Sequence, residues 1–144
     1  MQVQQILKSK GVDTVFTVAP GTKVADAVAI LAEKRIGTVV VSTDGTKAEG
    51  ILSERDVVRV LSSEGAVCMD RPVDDFMTSK LVTCGLSDQA DAVLSQMTEG
   101  RFRHMPVIEN GQMVGLITLG DVVKARLSEL AMENSALEGM IMGH

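Results

Sequence analysis

The chain contains no tryptophan and no tyrosine, and only Phe16, Phe76 and Phe102 supply aromatic rings. Single-stranded nucleic acid is gripped by stacking bases on such rings, so that mode of binding is excluded. Positive charge is also in deficit: 14 lysines and arginines stand against 19 acidic residues, a formal net charge of −5. A chain of that sign is poorly suited to neutralising a phosphate backbone, and nucleic acid drops out as a partner. Cysteine is confined to Cys68 and Cys84, which lack the CxxC spacing of a metal knuckle or redox dithiol and read as reduced, partly buried structural thiols. No run approaches the roughly 20 apolar residues that span a bilayer. Met1 to Gln5 shows no basic stretch followed by an apolar one, as a secretion signal would. These absences predict a soluble, cytoplasmic protein without a membrane partner. What is present is aliphatic: 45% of the 144 residues are hydrophobic, enough for a core of Val, Ile, Leu, Ala and Met.

The chain repeats itself. Gly50, Ser53 and Asp56 recur as Gly115, Thr118 and Asp121, each displaced by 65 positions. Ala25-Asp26-Ala27-Val28 recurs as Ala90-Asp91-Ala92-Val93 at the same displacement, and Asp44-Gly45 as Asn110-Gly111 at one residue more. Five matches in one order indicate duplication. In the first copy, Val15 to Val18 reads as a strand, Val24, Ala27, Val28 and Leu31 mark one face of a helix capped near Thr22, and Thr38 to Ser42 is a β-branched strand. Asp44-Gly45 reads as a hairpin turn, Gly50 to Leu52 as the returning strand, and Arg55 to about Leu61 as a second helix. The second copy follows suit through Leu81–Cys84, Ala90–Met97, Met105–Ile108, Val114–Ile117 and Asp121 onward. The predicted fold is mixed α/β (α+β), two β-α-β-β-α units packed sheet against sheet, because a unit of about 55 residues is marginal alone. The organisation that follows is a first domain with an N-terminal helix over 1–65, a linker over 66–79, a second domain over 80–127 and a C-terminal helix over 128–144.

Ser53-x-x-Asp56 and Thr118-x-x-Asp121 each close a strand and open a helix, the pattern of a capping box. A structural cap explains either by itself. In both copies a glycine precedes the motif, leaving bare backbone beside a helix N-terminus that attracts anions, while the carboxylate is suited to accept both hydroxyls of a ribose. Hydroxyl, carboxylate and amides together suit a nucleotide.

Gly50-Ile51-Leu52-Ser53-Glu54-Arg55-Asp56 and Gly115-Leu116-Ile117-Thr118-Leu119-Gly120-Asp121 resemble the Gly-h-h-[Ser/Thr]-x-x-Asp signature of CBS domains, the cystathionine-β-synthase-type repeat. Arg101 to Val107 resembles that family's second strand, and the likeness covers roughly residues 3 to 130. The resemblance, to tandem pairs of the stand-alone signal-transduction type, implies a pseudo-two-fold module with two clefts that take AMP, ATP, NAD(H) or S-adenosyl compounds. It implies that Asp56 and Asp121 grip ribose and that Ser53 and Thr118 contact ribose or phosphate. Adenine would then lie against Val15 and Leu81 of the first strands and Ile36 and Phe102 of the second. No cofactor is required on this reading; the adenine nucleotide is a regulatory ligand.

A phosphate needs cations, and the candidates are Lys34, Arg35, Arg55, Arg59, Arg101, Arg103, His104 and Lys124. Arg101, Arg103 and His104 cluster before a buried strand, within reach of one pocket, whereas the matching stretch Arg35-Ile36-Gly37-Thr38 is less basic. The first helix opens Glu54-Arg55 and the second Leu119-Gly120, so one cleft is expected to bind more weakly or a different ligand. His104 reads as a surface histidine, or as a pH reporter if phosphate lies beside it. Met132, Met140 and Met142 read as adaptable packing rather than a metal site. Leu127, Leu130, Asn134, Leu137 and Ile141 follow a 3-4-3-4 spacing, a short coiled-coil-like seam that predicts a homodimer. No nucleophile with a histidine partner, P-loop or dinucleotide fingerprint is present, so no catalysis is expected. Two readings result: a dimeric nucleotide sensor acting on an unidentified target, or a dimeric adapter with empty clefts.

Overall fold

The computed structural model describes residues 1–10 and 15–141. The elements run α1 (Val3–Ser9), β1 (Thr17–Val18), α2 (Val24–Lys34), β2 (Thr38–Val41), β3 (Gly50–Ser53), α3 (Glu54–Glu64), α4 (Ala90–Gly100), β4 (His104–Glu109), β5 (Gln112–Thr118) and α5 (Leu119–Ile141), with two 3-10 turns, Ala66–Asp70 and Val73–Asp75, between the copies. In the first copy β1 pairs parallel with β2, and β2 pairs antiparallel with β3. In the second, β4 and β5 pair antiparallel. The strand expected at Leu81–Cys84 is reduced to one parallel bridge between Cys84 and Val107. Only Cys84 of that stretch is buried; its apolar neighbour Val82 is exposed, so burial supports a single residue rather than a strand.

The local signals mostly behave as their chemistry dictates. Asn110-Gly111 forms a two-residue turn with φ of 52° and 77°, the left-handed pair that a tight hairpin demands. Asp44-Gly45 does not: β2 and β3 are joined by a longer loop in which Asp44 Oδ1 accepts from the backbone N–H groups of Thr46 and Lys47. Thr22 does not cap α2 either, since the N-cap is Lys23 and the Thr22 hydroxyl donates backward to the Ala19 carbonyl. Helices α2 and α4 both end on an arginine in the left-handed region, Arg35 and Arg101, a further mark of the repeat.

Two cores result, and each borrows a segment from outside its own copy. Val3 and Ile6 of α1 are buried among Ala90, Val93, Met97, Met105 and Ile117 of the second copy. Backbone bonds from Ala90 N–H to the Met1 carbonyl and from Val3 N–H to the Asp88 carbonyl fasten them there. The linker does the reverse, burying Val73 in the first copy's core with Met69, Phe76 and Met77 packed against it. Val24 N–H donates to the Arg71 carbonyl and Val73 N–H to the Thr22 carbonyl. Each copy is thus strapped by the segment that precedes the other. At the far end, Leu119–Ile141 is one uninterrupted helix whose buried residues are Val122 and Ala125, both in its first two turns.

Candidate functional site

Each motif residue is fixed by the junction between a returning strand and its helix. The Ser53 hydroxyl accepts from Asp56 N–H at 3.2 Å, while Asp56 Oδ2 accepts from Ser53 N–H at 2.9 Å. Thr118 and Asp121 repeat the arrangement at 3.1 and 2.9 Å. Both are complete capping boxes, so the structural cap is real in each copy. The junctions are also tied to the neighbouring strand: Glu54 N–H donates to the Gly37 carbonyl, and Leu119 N–H to the Arg103 carbonyl.

The glycines of the motif serve a different end from the anion site that the bare backbone suggested. A Cβ on Gly50 would run into the side chain of Met77 from the linker, and one on Gly115 would press on Leu7 of α1 at 3.0 Å. Both glycines are buried. They make room for the two straps.

Two clefts open between the copies. The principal one, about 650 Å³, is walled by Ser53, Arg55, Asp56 and Arg59 from the first copy and by Leu81, Arg101, Phe102, Arg103 and His104 from the second. That volume lies within the usual range for small-molecule sites. The sequence missed Lys80, Thr78 and Val82, which line it too. Thr78 and Lys80 straddle the end of the linker and Val82 lies in the stretch read as a strand, and none of the three carries a signal of ligand contact. The second cleft, about 250 Å³, gathers Val15, Ile36, Gly37 and Thr118 with Lys10, Phe16, Thr38, Leu116 and His104. The thirteen sequence candidates thus divide between the two clefts, with one exception. Asp121 lines neither; Lys10 Nζ stands 2.8 Å from its Oδ2 and also donates to the Leu116 carbonyl.

The electrostatics follow from this geometry. Burial tends to raise the Asp121 pKa, but the hydrogen bonds from Lys10 and Thr118 outweigh it and hold the carboxyl below its usual value. Asp56 Oδ1 instead pairs with Arg59 at 2.9 Å, and the Arg59 side chain is 70% exposed. His104 is not the surface histidine expected from sequence. It lines both clefts, and its Nε2 would lie 3.8 Å from a Cβ on Gly37. Burial pushes its pKa down and Arg103 adds to this, against the opposing pull of Glu54, Asp121 and Asp56. By strand register His104 faces Thr118 as Thr38 faces Ser53, so it takes the place of Thr38, whose buried hydroxyl has no hydrogen-bond partner among the described residues.

The remaining candidates lie elsewhere. Lys34 stands over the Phe16 ring at 5.6 Å, Arg35 closes α2, and Lys124 is exposed on α5. Met132 and Met140 are exposed at 66% and 77%, so they are not part of either core; Met142 lies outside the described residues. Cys68 and Cys84 are buried free thiols, and burial pushes Cys84 up to about 12. Among the described residues no cluster of His, Cys, Asp and Glu is arranged to hold a metal, and no helix is long and apolar enough to cross a membrane.

Comparison with known proteins bears on this arrangement directly. The sequence model of the CBS domain matches residues 10–63 and again 73–128. The mitochondrial CBS domain-containing protein CBSX3 of Arabidopsis thaliana is 32% identical, the match covering 98% of this chain and 72% of that protein. The crystal structure of the CBS-domain containing protein ATU1752 from Agrobacterium tumefaciens superposes with a TM-score of 0.82 at 40% identity, covering 88% of this chain and 99% of that one. CBS domain protein PAE2072 from Pyrobaculum aerophilum, solved in complex with AMP, shares the fold with a TM-score of 0.77 at 22% identity, covering 92% of this chain and 99% of its own. With both repeats matched and the fold shared along nearly its whole length, the chain belongs to the CBS-domain family as a tandem pair.

Proposed function

We propose that the protein is a regulatory module whose principal cleft binds an adenine nucleotide, AMP, ATP or NAD(H), and passes its level to a partner protein. The observation that carries this reading is the composition of the cleft. A capped carboxylate from the first copy faces an apolar and basic wall, Leu81, Phe102, Arg101 and Arg103, from the second. Asp56 is the ribose ligand, its Oδ1 exchanging Arg59 for the sugar hydroxyls; Leu81 and Phe102 take the base, and the arginines the phosphate. The AMP carried by PAE2072, on the same fold, supports the choice of ligand class.

Because the ligand touches both copies, it stabilises whichever arrangement of them fits it best, and a partner reads that arrangement. The reading includes a homodimer through α5. Leu127, Leu130, Leu137 and Ile141 lie along one seam and are exposed at 48% or more. At about two heptads the seam is too short to hold on its own, so it adds to contacts made by the rest of the module.

Isothermal calorimetry with AMP, ATP and NADH tests the assignment. Saturable binding by the wild type that is weakened by Asp56→Asn, with the melting temperature of the unliganded protein little changed, supports it. Absence of binding by all three at millimolar concentration favours the adapter with empty clefts.

A further inference from the structure

The lining of the principal cleft is electrically unlike the rest of the molecule. Arg55, Arg59, Lys80, Arg101 and Arg103 border it, with Asp56 as the one carboxylate among its described lining residues. Five cations against one carboxylate give a formal +4 in a chain whose net charge is −5. More than a third of the 14 lysines and arginines therefore face a single cavity. They come from three separate segments, the first turns of α3, the start of the second copy and the corner between α4 and β4, so the fold and not a local run of sequence brings them together.

These charges are also unspent. Among the described residues, Arg59 is the one member of the five with an ion pair, to Asp56; Arg55, Lys80, Arg101 and Arg103 have no carboxylate within ion-pairing distance. Cations gathered on low-dielectric walls such as Leu81 and Phe102 repel one another until an anion enters. Among the described residues the second cleft has no comparable crown. Its basic lining residues are Lys10, already seated on Asp121, and His104.

We infer that the principal cleft selects its ligand by charge, taking a nucleoside di- or triphosphate in preference to a monophosphate and excluding a sulfonium-bearing nucleoside. The inference rests on the adenosine reading above and narrows it. A guanidinium meets phosphate oxygens through paired N–H donors. A ribose hydroxyl arriving at Asp56 Oδ1 displaces Arg59 and turns that guanidinium over to the phosphate chain. A monophosphate satisfies part of the crown; a triphosphate reaches both the α3 and the α4–β4 sides.

Calorimetric titration with ATP, ADP, AMP, S-adenosylmethionine, GTP and inorganic tripolyphosphate tests the charge and the base separately. Each added phosphate met by a charge-assisted bond is worth about tenfold, so ATP is expected about 100-fold tighter than AMP, with S-adenosylmethionine undetected. Raising salt from about 50 to about 300 mM should shrink that gap. The double variant Arg101→Gln/Arg103→Gln should weaken both nucleotides but ATP roughly tenfold more than AMP, with the unliganded melting temperature unchanged because both side chains are exposed. AMP binding as tightly as ATP, or S-adenosylmethionine binding as tightly as either, overturns charge selection and leaves the adenosine reading standing. GTP or tripolyphosphate matching ATP supports charge selection and overturns the adenine assignment. No binding by any of the six overturns both.

Discussion

In the principal cleft Asp56 lends one oxygen to Arg59, a side chain 70% exposed and able to swing away; in the second, Asp121 is held by Lys10, and both members of that pair are about one-fifth exposed. The caps beneath the two carboxylates have the same geometry to within 0.1 Å. Duplication preserved the motif, but the carboxylate's partner differs between the copies: Arg59 from the same helix in one, Lys10 from just past the end of α1 in the other. The shared hydroxyl-x-x-Asp pattern therefore describes a carboxylate paired with an exposed arginine in one copy and with a partly buried lysine in the other.

The largest test of this asymmetry is a paired substitution. Asp56→Asn removes the charge yet keeps an acceptor for the cap, and should weaken the tighter nucleotide site by about 10- to 100-fold, the worth of a hydrogen bond to a charged group. Asp121→Asn should leave that site within about twofold. Equal losses in the two variants would break the comparison.

A smaller effect should follow from Lys10→Met, which lifts the ammonium from Asp121 while preserving bulk. Calorimetric stoichiometry should move from one ligand per chain toward two. The ion pair is partly buried, and its loss should cost about 1 kcal/mol or less in a denaturant melt. An unchanged stoichiometry would show that the cavity volume, not Lys10, limits the second cleft.

The smallest effect is one of pH, and it sharpens the comparison because His104 borders both clefts. Burial keeps this imidazole below its ordinary 6.5, so it is neutral at pH 7 in the free protein. A phosphate beside it raises its pKa, and binding then takes up a proton. Affinity for ATP should therefore rise as pH falls from about 7.5 to about 6, by less than the tenfold per unit that a whole proton gives, and level off below the free value. His104→Gln should flatten the profile. Titrations in two buffers of different ionisation enthalpy count the proton directly.

Much of this was legible in the sequence because it depends on local rules. Gly50, Ser53 and Asp56 recur with their spacing intact, and capping boxes, the Asn110-Gly111 turn and the β-branched run Thr38–Val41 all report their own conformation. The principal cleft's arginines were found for the same reason, since Arg101 and Arg103 flank a readable strand. What escaped depends on residues distant in sequence. Lys10 on Asp121, Met77 over Gly50 and Leu7 over Gly115 are contacts between a strap and a repeat, and nothing in the flanking letters announces them. His104 was misplaced because its burial comes from elements on both sides, Gly37 and Glu54 among them.

The crossed straps carry a consequence for how the polypeptide acquires its structure. Met1 and Ala90 must meet, and so must Thr22 and Val73, before either core is sealed. Closing loops of that length costs chain entropy ahead of any reward, and neither half recovers it without the other. The two repeats should therefore melt in one transition rather than two, and a fragment cut out at the sequence boundary between them would lack a wall of its own interior. Severed in the connection near Gly65, the pieces should remain poorly ordered apart and regain a native spectrum when mixed, as two halves of one cooperative unit.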